Sequence, residues 1–366
     1  MSMLGLDQSE SQRPSCPLAA SNSNRLNVRW WSLYHVEVKE TMQEVPLPEA
    51  IPQKLAERPI TLLAPGRFIY YSEISHLLPE QRRGVACDFY IEGIEKDDQD
   101  GQTEKRSFGH IKGRITNVDH HSPIPEFCRR VSSGNLALRY VAEMGVVAAE
   151  DPVFINHTDC DSILSSAIVR GILPPLPEFG EAVIAADHTG SPNPIADLLQ
   201  ALDSHKSVAT SLKWLCAYMH GMPLDEPTRC RVAGRQAERQ SIASLVGAGR
   251  FQPIGSGVVV CVLQEGDMNA ELTVSQLPEA VAIVVGAPRL GGKWTIRTRL
   301  GLAAPPGLTF NEIAPDKFVD PLWGGRWNAG ANQRGGGTVM HPVEWAGRLA
   351  TRIEQMLQPQ ATAAHV

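Results

Sequence analysis

Four aspartates and four histidines of this chain stand in three tight clusters: Asp119-His120-His121, His157-Thr158-Asp159-Cys160-Asp161 and Asp187-His188. Carboxylate oxygens and imidazole nitrogens together suit manganese better than a soft all-sulfur site would, with magnesium and zinc as the alternatives. Brought together without a cation, such acids would raise one another's pKa values and cost stability. A bound metal pair is the simplest remedy. Two ions held close together can lower the pKa of a water that bridges them.

Each cluster ends a short apolar run, at 115–118, 153–156 and 182–186. Such runs read as buried strands, and ligands gather outside the carboxyl ends of parallel strands. Between the first two runs, Leu136, Ala137, Tyr140, Val141 and Met144 recur at helical spacing behind Ser132 and Ser133, which supply a cap. After Asp161 a second helix follows through Ile163, Leu164, Ala167, Ile168 and Ile172, its N-terminus facing the rim, and the Pro-rich stretch 173–177 ends it. The pattern is β-α-β-α-β, a parallel sheet with helices on its faces. Upstream, 28–34, 60–63 and 85–91 read as strands and 95–106 as a charged loop, with no chemistry assigned to any of them.

From 196 to 247 the pattern is helical, with Val208, Leu212, Leu215 and Met219 on one face and a more polar helix after it. Beyond Gly255 it turns to strands, 258–263, then 281–286 and 293–300 as a hairpin. In the last of these Lys293, Arg297 and Arg299 share one face by the period of two. That face is either a substrate groove or a solvated surface. A glycine-dense loop carries Gly324, Gly325, Arg326, Asn328 and Arg334, in which backbone amides and forked guanidinium donors suit phosphate oxygens; the plain alternative is a flexible surface loop. A closing helix points Ala346, Leu349, Ala350, Ile353 and Leu357 inward.

The 366 residues, 43% of them hydrophobic, favour two domains, each with a core. A formal charge of -6 argues against a general nucleic-acid coating protein, so a polyanion must bind at one local site. Seven cysteines without CxxC pairs, Cys128, Cys160 and Cys216 among them, read as reduced core thiols rather than a disulfide framework. With no signal-like N-terminus and no apolar run of about 18 residues, a cytoplasmic protein without membrane contact is expected.

The strand-closing Asp119-His120-His121, the element 159–162 with Ser166 one turn on, and 187–190 together resemble the DHH phosphoesterase family. The segments 294–299, Ile313-Ala314, Phe318 and 324–330 look like its C-terminal DHH-associated domain. The resemblance covers about residues 112–345, with two differences: the Asp-x-Asp element follows the Asp-His-His triplet instead of preceding it, and Arg326 stands near where the family carries a histidine. It implies an α/β fold, a parallel-sheet DHH-type domain joined by a helical connector to a smaller α+β domain. The corresponding division is a disordered segment 1–24, a metal-binding domain 25–195, a connector 196–250, a substrate-binding domain 251–358 and a disordered tail 359–366.

The resemblance further implies two Mn2+ ions held by Asp119, His120, His157, Asp159, Asp161 and Asp187, with His157 equally readable as a local polar group and His188 placed behind the ligands. His121 would orient water or protonate the leaving group, and Arg297, Gly324, Gly325, Arg326, Asn328 and Arg334 would hold the substrate. The activity implied is hydrolysis of a small phosphodiester or phosphomonoester, such as a short single-stranded oligonucleotide, a cyclic dinucleotide or a nucleotide bisphosphate. The rival is a nucleotide-binding or scaffold protein without turnover. Homodimerisation is left open.

Overall fold

The computed structural model describes residues 50–64, 69–98, 101–121, 131–267 and 271–358. These form an α/β structure with a mostly parallel first sheet, a second mixed sheet, and helices packed on both. The strand expected at 28–34, the ends 1–24 and 359–366, and Cys128 lie outside the described residues.

The strands of the first half are β1 (Ile60–Leu62), β2 (Ile69–Tyr70), β3 (Gly84–Cys87), β4 (Ile91–Glu92), β5 (Thr103–Arg106), β6 (Gly109–Lys112), β7 (Ile115–Val118) and β8 (Val153–Ile155). β2 and β4 pair separately, and the rest form a sheet in the order β1-β8-β3-β7-β6-β5. β1, β8, β3 and β7 run parallel, while β6 pairs antiparallel with both β7 and β5. Val85, Cys87, Val118, Val153 and Ile155 pack with the helices Ser133–Met144 and Cys160–Val169 in one buried cluster. Every residue of the second helix is buried. Burial of each large aliphatic side chain here stabilises by about 1.5–3 kcal/mol.

Three expectations need correction. The run 85–91 is not one strand: β3 ends at Cys87, and Ile91 begins β4, which pairs with β2 in a separate sheet. The charged stretch 95–106 is not all loop, since Thr103–Arg106 is a strand against β6. This hairpin is anchored by Lys112, whose buried ammonium donates to Gly93 O, Lys96 O and Asp98 Oδ2 at 3.3, 2.8 and 2.6 Å and lies 4.7 Å from the centre of the Tyr71 ring. Nor is 182–186 a strand. The chain is helical over Pro177–Ile184 and continues as a π-helical turn, Ala185–Thr189, which Gly190 closes at φ +66. Pro177 pre-sets the first turn. Phe179, Ala182 and Val183 are buried at helical spacing. A short apolar run cannot by itself separate a strand from a buried helix.

The helices Pro194–Leu202, Val208–Met219 and Glu226–Gly247 follow, as the pattern at 196–247 indicates. The second sheet comprises β9 (Gln252–Gly255), β10 (Val258–Val262), β11 (Ala282–Arg289), β12 (Lys293–Leu300), β13 (Gly324–Gly325) and β14 (Ala329–Ala331), in the order β13-β14-β12-β11-β10-β9. The expected hairpin is β11 and β12, turning through Leu290-Gly291-Gly292, where both glycines take a positive φ of +76 and +69. The helix Pro342–Leu357 buries Trp345, Ala346, Leu349, Ala350 and Ile353 beside Trp323 and Trp327. Leu357, expected inward, is 46% exposed at the helix's last position.

Candidate metal centre

The parallel strands β3, β7 and β8 present their carboxyl ends on one edge, and there the charged residues collect. Asp88 follows β3 directly, buried and at φ +60, and its N–H donates to Val118 O at the end of β7 at 3.0 Å. Asp119 and His120 follow β7, both fully buried. His157 follows β8, and Asp159 caps the next helix by accepting from Ser162 N at 3.0 Å. The π-helical turn supplies Asp187 and His188. Sequence reasoning misses Asp88, which lies inside the run 85–91; the available signal is the acid at the end of Val85-Ala86-Cys87, as at the other clusters.

Three overlapping groups bring their donor atoms within 4.8 Å of one another: Asp88, His120 and His121; His120, Asp187 and His188; and Asp88, His157 and Asp159. His120 Nε2 lies 3.2 Å from Asp187 Oδ2 and 3.7 Å from Asp88 Oδ1. His157 Nε2 lies 3.0 Å from Asp88 Oδ2 and 3.3 Å from Asp159 Oδ2. Ser162 Oγ donates to the same Asp88 Oδ2 at 2.6 Å. Among the described residues, five buried polar atoms here have no hydrogen-bond partner: Asp88 Oδ1, Asp119 Oδ2, both ring nitrogens of His120 and Asp187 Oδ2. Unpaired buried acceptors of this kind are costly, and a divalent ion takes oxygen and imidazole nitrogen together. The donor set therefore fits a metal.

Asp161 behaves differently from its neighbours. Its Oδ2 accepts from Ser133 N at 2.8 Å and from Ser132 Oγ, and its Oδ1 accepts from Gly134 N at 2.6 Å. Both oxygens thus serve the N-terminus of Ser133–Met144, with Oδ2 also 3.5 Å from His120 Nε2, and Asp161 joins none of the three groups. Burial, followed by the charges of Asp88 and Asp187, pushes its carboxyl well above the usual range. Asp119 likewise joins no group; its Oδ1 accepts from His121 Nδ1 at 2.7 Å. Ser132, expected as a plain helix cap, takes Asn135 Oδ1 on its own N–H at 3.0 Å and turns its hydroxyl to Asp161.

The electrostatics separate the imidazoles. Burial, then the neighbouring His121, holds His120 well below its ordinary pKa, in the neutral form a ligand needs. Burial also lowers His188 to about 4, and its Nε2 lies 3.2 Å from Val131 O. At His157 burial opposes the charge, but Asp159 and Asp88 outweigh it and lift the pKa to about 11. At Asp187 burial is likewise outweighed, by Arg326 and then His120, and the carboxyl is held well below the usual range. Burial disfavours an imidazolium at His121 and Asp119 favours it, with a raised pKa as the net result. The contact between His121 Nε2 and Arg326 Nη1 at 2.5 Å nonetheless needs an acceptor on that nitrogen, which selects the neutral tautomer protonated on Nδ1.

Arg326 reaches this edge from the segment between β13 and β14 and also donates from Nη2 to Asp187 Oδ1 at 2.8 Å. Beside it lies a cavity of about 720 Å³ whose lining includes Arg297, Arg299, Gly324, Gly325, Arg326 and Arg334. The glycines have a steric role: a Cβ on Gly330 would come within 2.0 Å of the Trp323 ring, and one on Gly325 within 2.4 Å of Ala329 O. Asn328, expected at the substrate, does not line the cavity; it is 4% exposed, and its carbonyl oxygen accepts from Leu300 N at 2.8 Å.

No protein-family profile and no curated protein sequence matches the chain. Among solved structures, a pGpG-specific phosphodiesterase from Vibrio cholerae aligns over 75% of this chain and 99% of its own at 13% identity and a TM-score of 0.37. An exopolyphosphatase-related protein from Bacteroides fragilis aligns over 78% of this chain and 75% of its own at 13% identity and a TM-score of 0.33. Both scores are too low for the likeness to bear on fold or activity.

Proposed function

We propose that the protein is a metal-dependent phosphoesterase of the DHH type, hydrolysing a small phosphodiester or phosphomonoester. The observation that carries this reading is the set of five unpaired buried donor and acceptor atoms among Asp88, Asp119, His120 and Asp187, next to an arginine-lined cavity. Asp88, His120, His157, Asp159 and Asp187 would hold the metal, Mn2+ being the ion best suited to them, as one pair of ions or fewer. A divalent ion there supplies an activated water and charge neutralisation at phosphorus.

The chain's own groups account for the rest. Asp119 accepts the Nδ1 proton of His121 and so leaves its Nε2 unprotonated, an acceptor that can orient the attacking water once Arg326 is withdrawn from it. Ser162 orients Asp88 through its hydroxyl. Arg297, Arg299 and Arg334 offer forked donors to the phosphate groups of the substrate, which supports short oligonucleotides, cyclic dinucleotides or nucleotide bisphosphates as the substrate class. Asp88 is a single acid ahead of the Asp-His-His triplet, on the side where the family carries its Asp-x-Asp element. The division into a DHH-type domain, a helical connector and a substrate-binding domain belongs to the same reading.

The test is hydrolysis of bis-p-nitrophenyl phosphate and of a short oligonucleotide by the full chain with added MnCl2. Turnover that is lost in Asp88→Ala, with circular dichroism unchanged, is the expected result. Mn2+ binding without turnover of either substrate would instead identify a nucleotide-binding protein that does not catalyse.

A further inference from the structure

The guanidinium of Arg326 sits where a cation is wanted. It donates to Asp187 Oδ1 at 2.8 Å and covers His121 Nε2 at 2.5 Å, while Asp187 Oδ2, 3.2 Å from His120 Nε2, is left without a hydrogen bond. The third group, Asp88, His157 and Asp159, has no contact of this kind with Arg326. We propose that the two cation places of this centre are unequal: the one at Asp88, His157 and Asp159 takes an ion without displacing an arginine, whereas the one at His120 and Asp187 exchanges an ion for the Arg326 guanidinium.

This rests on the metal centre proposed above. The physical reason is competition for one negative charge. An ion bound by Asp187 and His120 neutralises the carboxylate that holds Arg326, and two like charges at that separation repel. Arg326 then leaves Asp187, and the same movement uncovers His121 Nε2. In the ion-poor state the arginine satisfies part of the buried acid and caps the histidine; in the ion-loaded state both are released toward the cavity. Arg326 is one-third exposed at its side chain, so its departure needs no repacking of the core. Its neighbour Trp327 is buried, anchoring the segment from which the arginine swings.

Calorimetric titration of the full chain with MnCl2 tests this, comparing the wild type with Arg326→Met, which keeps the apolar stem, and Arg326→Lys, which keeps the charge. The expected wild-type isotherm has two steps, the second weaker. Arg326→Met should tighten the second step about tenfold or more and leave the first unchanged, with Arg326→Lys closer to the wild type. Superimposable two-step isotherms for wild type and Arg326→Met, or a second step weakened by that substitution, would overturn the exchange while leaving the metal centre standing. A single step in both proteins would also overturn it. Absence of Mn2+ uptake in every variant would remove the metal centre as well.

Discussion

Asp88 and Asp161 are both buried carboxylates at the same sheet edge, yet their surroundings give them opposite tasks. Asp161 is fully used by three donors at a helix start. Asp161→Ala should therefore lower stability, by about 1–3 kcal/mol for each buried donor left unsatisfied, in chemical denaturation of the metal-free protein. Asp88 keeps Oδ1 without a hydrogen bond beside other acids, while its Oδ2 pairs with His157 at 3.0 Å, so Asp88→Asn removes one repulsion and one attraction together. It should remove the increment in melting temperature that Mn2+ gives. An undiminished Mn2+ increment in that variant would contradict the assignment. His157 provides a second check. With its pKa lifted to about 11, it is protonated at neutral pH in the metal-free protein. An ion taking His157 must displace that proton, so affinity rises with pH. Calorimetry at pH 7 in buffers of different ionisation enthalpy should show about one proton released per ion bound there.

The elements differ in how far they could be read in advance. β7 was legible to its last residue because an apolar run stops at Asp119, and the next helix through the spacing of Ile163, Leu164, Ala167 and Ile168, although it begins at Cys160 with Asp161 inside its first turn. The run 182–186 misled because its length fits either conformation, and only the buried Phe179, Ala182 and Val183 decide for helix. Asp88 is concealed because the apolar residues resume at Phe89-Tyr90-Ile91, so that 85–91 reads as one strand although β3 ends at Cys87. The spending of Asp161 could not be read locally, since the Ser133–Met144 helix that engages it begins 28 residues earlier in the chain. Gly134 is what lets that helix approach: a Cβ there would stand 2.7 Å from Val183 Cγ1 and 3.3 Å from Asp161 Oδ1. Gly134→Ala should push the helix start away from Asp161, lowering the melting temperature. Retention of the wild-type value would show that the contact is not required.

Across the molecule, the candidate ligands come from the ends of β3, β7 and β8 and from the π-helical turn, segments separated by 99 residues between Asp88 and Asp187. An ion bound there would tie these segments in the native state alone. By mass action, ion at a hundred times its dissociation constant would stabilise the fold by about 2.7 kcal/mol. Thermal melts should accordingly rise on adding MnCl2 and return on adding EDTA. Identical melts under the two conditions would argue against ligands shared among these segments.

The lysine that anchors the β5–β6 hairpin has a consequence for experiments in solution. With its side chain wholly buried and its ammonium fully engaged, Lys112 should be shielded from amine-acylating reagents for as long as the sheet is intact. In a mass-spectrometric labelling time course the exposed lysines would be modified early and Lys112 late, so that its labelling rate reports the opening of this hairpin.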